Sequence, residues 1–132
     1  MSHFTTVQTE IHDVVCLKQA LHDLGYKFTE ANVNEEVHVR GYMGQKTKAD
    51  MVIHVSKSYD VGVKVTKKGV KFIADWWGVE TTRGLTEKEF VNQVTQRYAY
   101  HKVKQALQKK NYTLAEEEVT EDQAIHIKIK RW

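Results

Sequence analysis

Hydrophobic and polar positions change period several times along this chain, and each change marks an element. From about Phe4 to Ile11 the residues are rich in Thr and Val, with Val7, Thr9 and Ile11 on one face of a strand. Asp13 then stands as an N-cap before Val14, Leu17, Ala20, Leu21 and Leu24, which recur at helical spacing. Gly25 follows where a left-handed cap ends such a helix. Tyr26 and Phe28 open a short strand, and Val37 and Val39 mark another, with Glu36, His38 and Arg40 on its opposite side. Residues 41–50 hold two glycines, two lysines and almost no aliphatic residue, and read as a loop. Three alternating runs come next, carried by Met51, Ile53 and Val55, by Val61, Val63 and Val65, and by Val70, Phe72 and Ala74. With turns at 56–60 and 66–69 they predict an antiparallel meander. The third run ends at 74–78, and 79–85 reads as a loop. Thr86 and Glu89 have capping-box spacing and open a helix reaching Lys110. Residues 112–119 and 124–132 then predict a hairpin with its turn at 120–123, an acidic strand (Glu116, Glu117, Glu118) facing a basic one (Lys128, Lys130, Arg131).

Taken in order, these elements predict an α+β fold: an antiparallel sheet with two helices on one face. The other face, carrying His54, Lys128 and Lys130, is left uncovered. Leu17-Lys18-Gln19-Ala20-Leu21 echoes Val103-Lys104-Gln105-Ala106-Leu107. Each helix stops at a residue tolerant of positive φ, Gly25 or Asn111, before a tyrosine and a strand pair. The pattern is compatible with a β-α-β-β internal duplication flanking the central meander. The chain has no proline and no Gly/Ser linker, so residues 1–132 read as a single domain.

Composition narrows the function classes. Hydrophobic residues at 41% and charged residues at 28% are ordinary for a globular domain and too apolar for disorder. A net charge of +3 falls short of a dedicated nucleic-acid arm. No apolar run is long enough to span a membrane, and Met1-Ser2-His3-Phe4 does not read as a signal peptide. One cysteine, Cys16, excludes an internal disulfide framework and reads as a small core residue. The seven histidines show neither HxxxH nor HExxH spacing, so no metal site and no cofactor is expected.

Three segments hold the candidate chemistry. The 41–50 loop, with Arg40, Tyr42 and Lys46, has glycines that let backbone amides approach an anion. Asp75-Trp76-Trp77 at the strand end offers a carboxylate and two indoles that point to opposite faces of a strand. Arg97, Tyr100 and His101 lie with Gln93 and Lys104 on one polar helical face. Without catalytic spacing, the favoured reading is a non-enzymatic binding or adaptor module with a protein partner, anchored by Trp76, Trp77 and Trp132. A second is a small anionic-ligand binder or enzyme, in which Arg40, Lys46, Asp75, Arg97 and His101 converge on one pocket. The least favoured is nucleic-acid binding through Lys64, Lys67, Lys68 and Lys71 of the central hairpin.

Several of these motifs together, Arg40-Gly41-Tyr42 with Gly44-Gln45-Lys46-Thr47, Ala74-Asp75-Trp76-Trp77-Gly78 and Thr95-Gln96-Arg97-Tyr98-Ala99-Tyr100-His101-Lys102-Val103, carry a resemblance. The chain resembles domain-of-unknown-function family 1257, which includes the hypothetical chloroplast open reading frame 35 proteins and cyanobacterial relatives. The resemblance implies a small soluble protein of a bacterial cytoplasm or plastid stroma. It implies no activity and no assigned site residues.

Overall fold

The computed structural model describes residues 3–32, 35–109, 112–119 and 125–131. Strand β1 (Thr5–Gln8) leads to helix α1 (Val14–Asp23), then to β2 (Lys27–Glu30), β3 (Val37–Arg40) and β4 (Lys46–Ala49). The meander β5 (Met51–His54), β6 (Asp60–Thr66) and β7 (Gly69–Ala74) follows. Helices α2 (Trp76–Arg83) and α3 (Glu87–Lys109) precede a final strand pair, β8 (Tyr112–Val119) and β9 (Ile125–Arg131). Five strands form one antiparallel sheet in the order β1-β7-β6-β5-β2, so the class is α+β.

Local signals explain the helices. The Asp13 carboxylate accepts the Cys16 N–H at 3.1 Å and starts α1, which ends as Gly25 turns the chain with φ 81°. Thr86 and Glu89 make the reciprocal capping box: the Glu89 N–H donates to Thr86 Oγ1 at 3.1 Å, and Glu89 Oε1 accepts from the Thr86 N–H at 3.4 Å. The Tyr98 hydroxyl accepts the N–H groups of His12 and Asp13, fastening α3 to the start of α1.

Both faces of the sheet are covered. On one, Ile53, Val61, Val63, Val70 and Phe72 meet Leu17 and Leu21 of α1, Val79 of α2, and Phe90 and Val94 of α3. On the other, Val52 and Ile73 meet Val39 and Ala49 of the β3–β4 hairpin, with Phe4 and Val37 alongside. Gly62 sits between these layers. A Cβ there would lie 2.4 Å from Val39 Cγ2 and 2.8 Å from Ile73 Cγ2, so only glycine admits the hairpin so close.

The structure corrects several expectations. The 41–50 loop is a short 3-10 turn, Tyr42–Gly44, followed by β4, which pairs with β3 in the register Arg40↔Lys46 and Val37↔Ala49. The presumed strand end and loop over 74–85 contain helix α2, capped by Asp75 and closed by Gly84 at φ 72°. Three helices therefore pack where two were expected, and the face expected to be bare carries the β3–β4 hairpin. The strands after α1 do not pair with each other: β2 joins β5 and β3 joins β4, whereas β8 and β9 are partners. That pairing departs from a β-α-β-β duplication. In β8–β9, Glu116 registers with Lys128 and Glu118 with His126. The expected helix end at Lys110 and Asn111, the turn at 120–123 and the anchor Trp132 lie outside the described residues.

Candidate functional site

The N-terminal turn of α2 and the tip of the β3–β4 hairpin meet at Asp75. This carboxylate is buried; Oδ1 accepts the Gly78 N–H and Oδ2 the Tyr42 N–H, each at 3.2 Å. One side chain thus caps a helix and ties a hairpin tip to it. That is a structural use of the Asp75 carboxylate. Because 76 and 77 are helical, their indoles diverge by helical rotation rather than by strand alternation. Trp76 turns inward to Phe90, with ring centroids 5.9 Å apart, while Trp77 stays 52% exposed. The Tyr42 ring, also exposed, meets Trp77 edge-on at 6.0 Å, and its chain neighbour Met43 is 83% exposed. Met43 is held at φ 52°, a left-handed conformation that a methionine adopts only under constraint. Three large apolar side chains are thereby displayed on a braced frame.

Next to Trp77 a groove of about 650 Å³ runs between β1 and the first turns of α2 and α3. Val7, Trp76 and Val91 provide apolar wall, and Glu80, Glu87 and Lys88 provide charge. The Trp76 indole N–H is buried and has no hydrogen-bond partner among the described residues. An unmet buried donor costs about 1–3 kcal/mol.

The remaining candidates gather elsewhere. Arg40 spans to the buried Asp60: its Nε and backbone N–H reach Oδ2 and its Nη2 reaches Oδ1, all at 2.9 Å. Two further guanidinium bonds go to the Lys57 and Ser56 carbonyls. Lys46 is exposed beside Arg40 in the register. On the helical side of the sheet, Arg97 Nε donates to Asp23 Oδ2 at 2.7 Å and His101 Nε2 meets the same oxygen. The Arg97 guanidinium lies 4.3 Å from the buried Tyr100 ring, and Gln93 on the same helical face takes the Tyr26 hydroxyl. This polar stripe of α3 packs on the end of α1 and is not a solvated face. Arg40 belongs to the hairpin layer and Arg97 to the helical layer, with the sheet between them. The single pocket joining Arg40, Lys46, Asp75, Arg97 and His101 is therefore not formed; the hairpin tip and Asp75-Trp76-Trp77 meet, and Arg97 with His101 stands apart.

The charges are settled by these partners. Burial alone would raise the Asp60 carboxyl, but the Arg40 guanidinium and N–H, with His54, hold it below the ordinary aspartate value. Asp23 is likewise pushed up by burial and brought below its ordinary value by Arg97 and His101. Burial pushes the Cys16 thiol up, which keeps it protonated and fits a packing role.

A family model described as "Protein of unknown function (DUF1257)" matches residues 20–128. The chain belongs to this family. It is 32% identical to "Uncharacterized protein ycf35" of Guillardia theta and 31% identical to the protein of that name in Cyanophora paradoxa. A third relative so named, from Pyropia yezoensis, is 27% identical. Each comparison covers 100% of this chain and 98% of the relative. No solved structure matches.

Two features of this family member escaped the sequence reading. Met43 was passed over because nothing in an isolated methionine signals exposure. The link from His54 to Asp60 and Thr29 has no sequence signal, because the three lie on three strands and share no spacing. Yet His54 Nδ1 is 3.2 Å from Asp60 Oδ1, and His54 Nε2 is 2.8 Å from Thr29 Oγ1. Only the pairing of β2, β5 and β6 brings these groups together.

Proposed function

We propose that this protein is a binding module whose docking surface is the Tyr42–Met43–Trp77 cluster and the groove beside it. The observation that carries the reading is Trp77, half exposed, braced by Tyr42 and by the Asp75 cap. Exposed aromatics on a rigid frame lose little side-chain entropy on contact and are favoured interface anchors. The occupant in this reading is a segment of a partner protein, and the lining of the groove supports a chemistry for it. An apolar side chain fits against Trp76, Val7 and Val91. A basic residue answers the rim, where Glu80 and Glu87 outnumber Lys88. The plastid or cyanobacterial character of the relatives supports a plastid stroma or bacterial cytoplasm as the setting.

Peptide display against the full chain tests this. Selected sequences should pair a basic residue with a large apolar one and bind at least tenfold more weakly to Trp77→Ala and to Glu80→Lys. Titration of such a peptide should shift the indole N–H resonance of the exposed Trp77. Trp77→Ala should leave the melting temperature nearly unchanged, since about half of that side chain already faces water. Selected peptides indifferent to both substitutions would overturn the reading.

A second observation favours a polyanion on another face. Lys64 and Lys71 stand directly opposite each other in the β6–β7 register, with Lys67 and Lys68 at the turn. No carboxylate lies within ion-pair distance of these four among the described residues. Binding to mixed single-stranded RNA that falls steeply with salt and is lost in Lys64→Glu supports this reading; absent or salt-insensitive binding removes it.

A further inference from the structure

Thr29, His54 and Asp60 form a connected line that the binding surface does not use. Asp60 is 1% exposed and held by three bonds from Arg40, so it is fixed in place and charged. A fixed carboxylate 3.2 Å from His54 Nδ1 selects the tautomer with its proton on that nitrogen. The lone pair is then on Nε2, 2.8 Å from the Thr29 hydroxyl, which is an exposed side chain on the edge strand β2. Hydroxyl to Nε2, with Nδ1 to an anchored carboxylate, is the connectivity that activates an oxygen nucleophile. Lys27 lies two positions from Thr29 on the same face of β2 and registers opposite His54. Its ammonium has no carboxylate partner among the described residues.

We propose that Thr29 is a self-acylation site that takes the acyl group of a small acyl phosphate, with His54 as the base, Asp60 and Arg40 as positioning residues, and Lys27 as the cation that receives the phosphate. The Thr29 oxygen attacks the acyl carbon while its proton passes to His54 Nε2. The carbon–oxygen bond to phosphate then breaks. Phosphate leaves with its electron pair and takes the proton from His54, so the products are an acylated Thr29 and hydrogen phosphate. No oxidant or further reactant is needed. The site is independent of the Trp77 surface, so either proposal can fail without the other.

The test uses the full chain and acetyl phosphate. Peptide mapping by mass spectrometry should place one acetyl group on Thr29, as an ester that hydroxylamine removes. His54→Gln, at an exposed position, should slow the labelling of Thr29 at least a hundredfold, the scale of a lost general base. Thr29→Val should abolish it, and Thr29→Ser should retain it. Circular dichroism establishes that each variant is folded before its rate is read. Hydroxylamine-resistant label on Lys27 with Thr29 unmodified overturns the proposal. So does Thr29 labelling that proceeds at the same rate in His54→Gln.

Discussion

Replacing Asp60 by Asn keeps the shape of the side chain and removes the charge on which Arg40 and His54 converge. Asp60 accepts three bonds at 2.9 Å from Arg40 and faces His54 at 3.2 Å, and it is 1% exposed. Breaking a fully buried ion pair costs about 3–5 kcal/mol. Here the Arg40 side chain is 40% exposed, so water re-solvates the guanidinium once its partner is neutral. The cost of Asp60→Asn should fall to about 2–3 kcal/mol. With an unfolding entropy of about 2.1 cal/mol/K per residue, a chain of 132 residues has about 0.28 kcal/mol/K, so the melting temperature should drop by about 7–11 °C. The mirror experiment should be worse. Arg40→Met strands the carboxylate, the buried partner, without its cation, and the loss should move toward the upper end of that 3–5 kcal/mol range, roughly 18 °C. Acid provides an independent check. Because the folded Asp60 carboxyl titrates below the ordinary aspartate value, its contribution is present above about pH 4 and is lost as the pH falls through the folded pKa. Thermal melts of the parent and Asp60→Asn from pH 7 into the acid range should therefore show a gap that is constant near neutrality and narrows as the pH falls toward the folded pKa. A gap under about 2 °C at pH 7, an Arg40 variant milder than the Asp60 variant, or a gap that does not narrow as the pH is lowered refutes this account.

Gly62→Ala places a methyl group between the sheet and the β3–β4 hairpin, 2.4 Å from Val39 Cγ2; overpacking of this kind costs about 1–3 kcal/mol, and urea melts should show it. Thr86→Ala removes the capping oxygen of α3 and should lower stability by about 1 kcal/mol, with Thr86→Ser or Thr86→Asp restoring most of it in the same melts.

The reach of the sequence follows from which interactions are local. Asp13, Gly25, Thr86 and Glu89 act within one turn of their own helices, so their signals could be read directly. The same grammar was present for α2, where Asp75 caps and Gly84 closes, but Gly78 and two threonines hid it. Strand β4 was hidden by composition. Lys46 and Lys48 face water and only Thr47 and Ala49 turn inward, which leaves an alternation without aliphatic contrast.

The second layer did leave a trace, in residues that carry no polar face. A strand with one bare side alternates apolar and polar positions, whereas Met51-Val52-Ile53 and Phe72-Ile73-Ala74 are apolar throughout, and all six are buried. Such runs state that something covers both sides of the sheet. The Val37 and Val39 strand was the available cover, and Gly62 marks where it lands. The same layering divides the chemistry. Arg40 is carried with the hairpin to Asp60 on one side, Arg97 is carried with α3 to Asp23 on the other, and only the hairpin tip reaches around to Asp75 and Trp77. Because that link depends on one carboxylate accepting two amides from distant segments, no spacing along the chain could have disclosed it. It is also why the exposed aromatic surface forms only when all three layers are assembled.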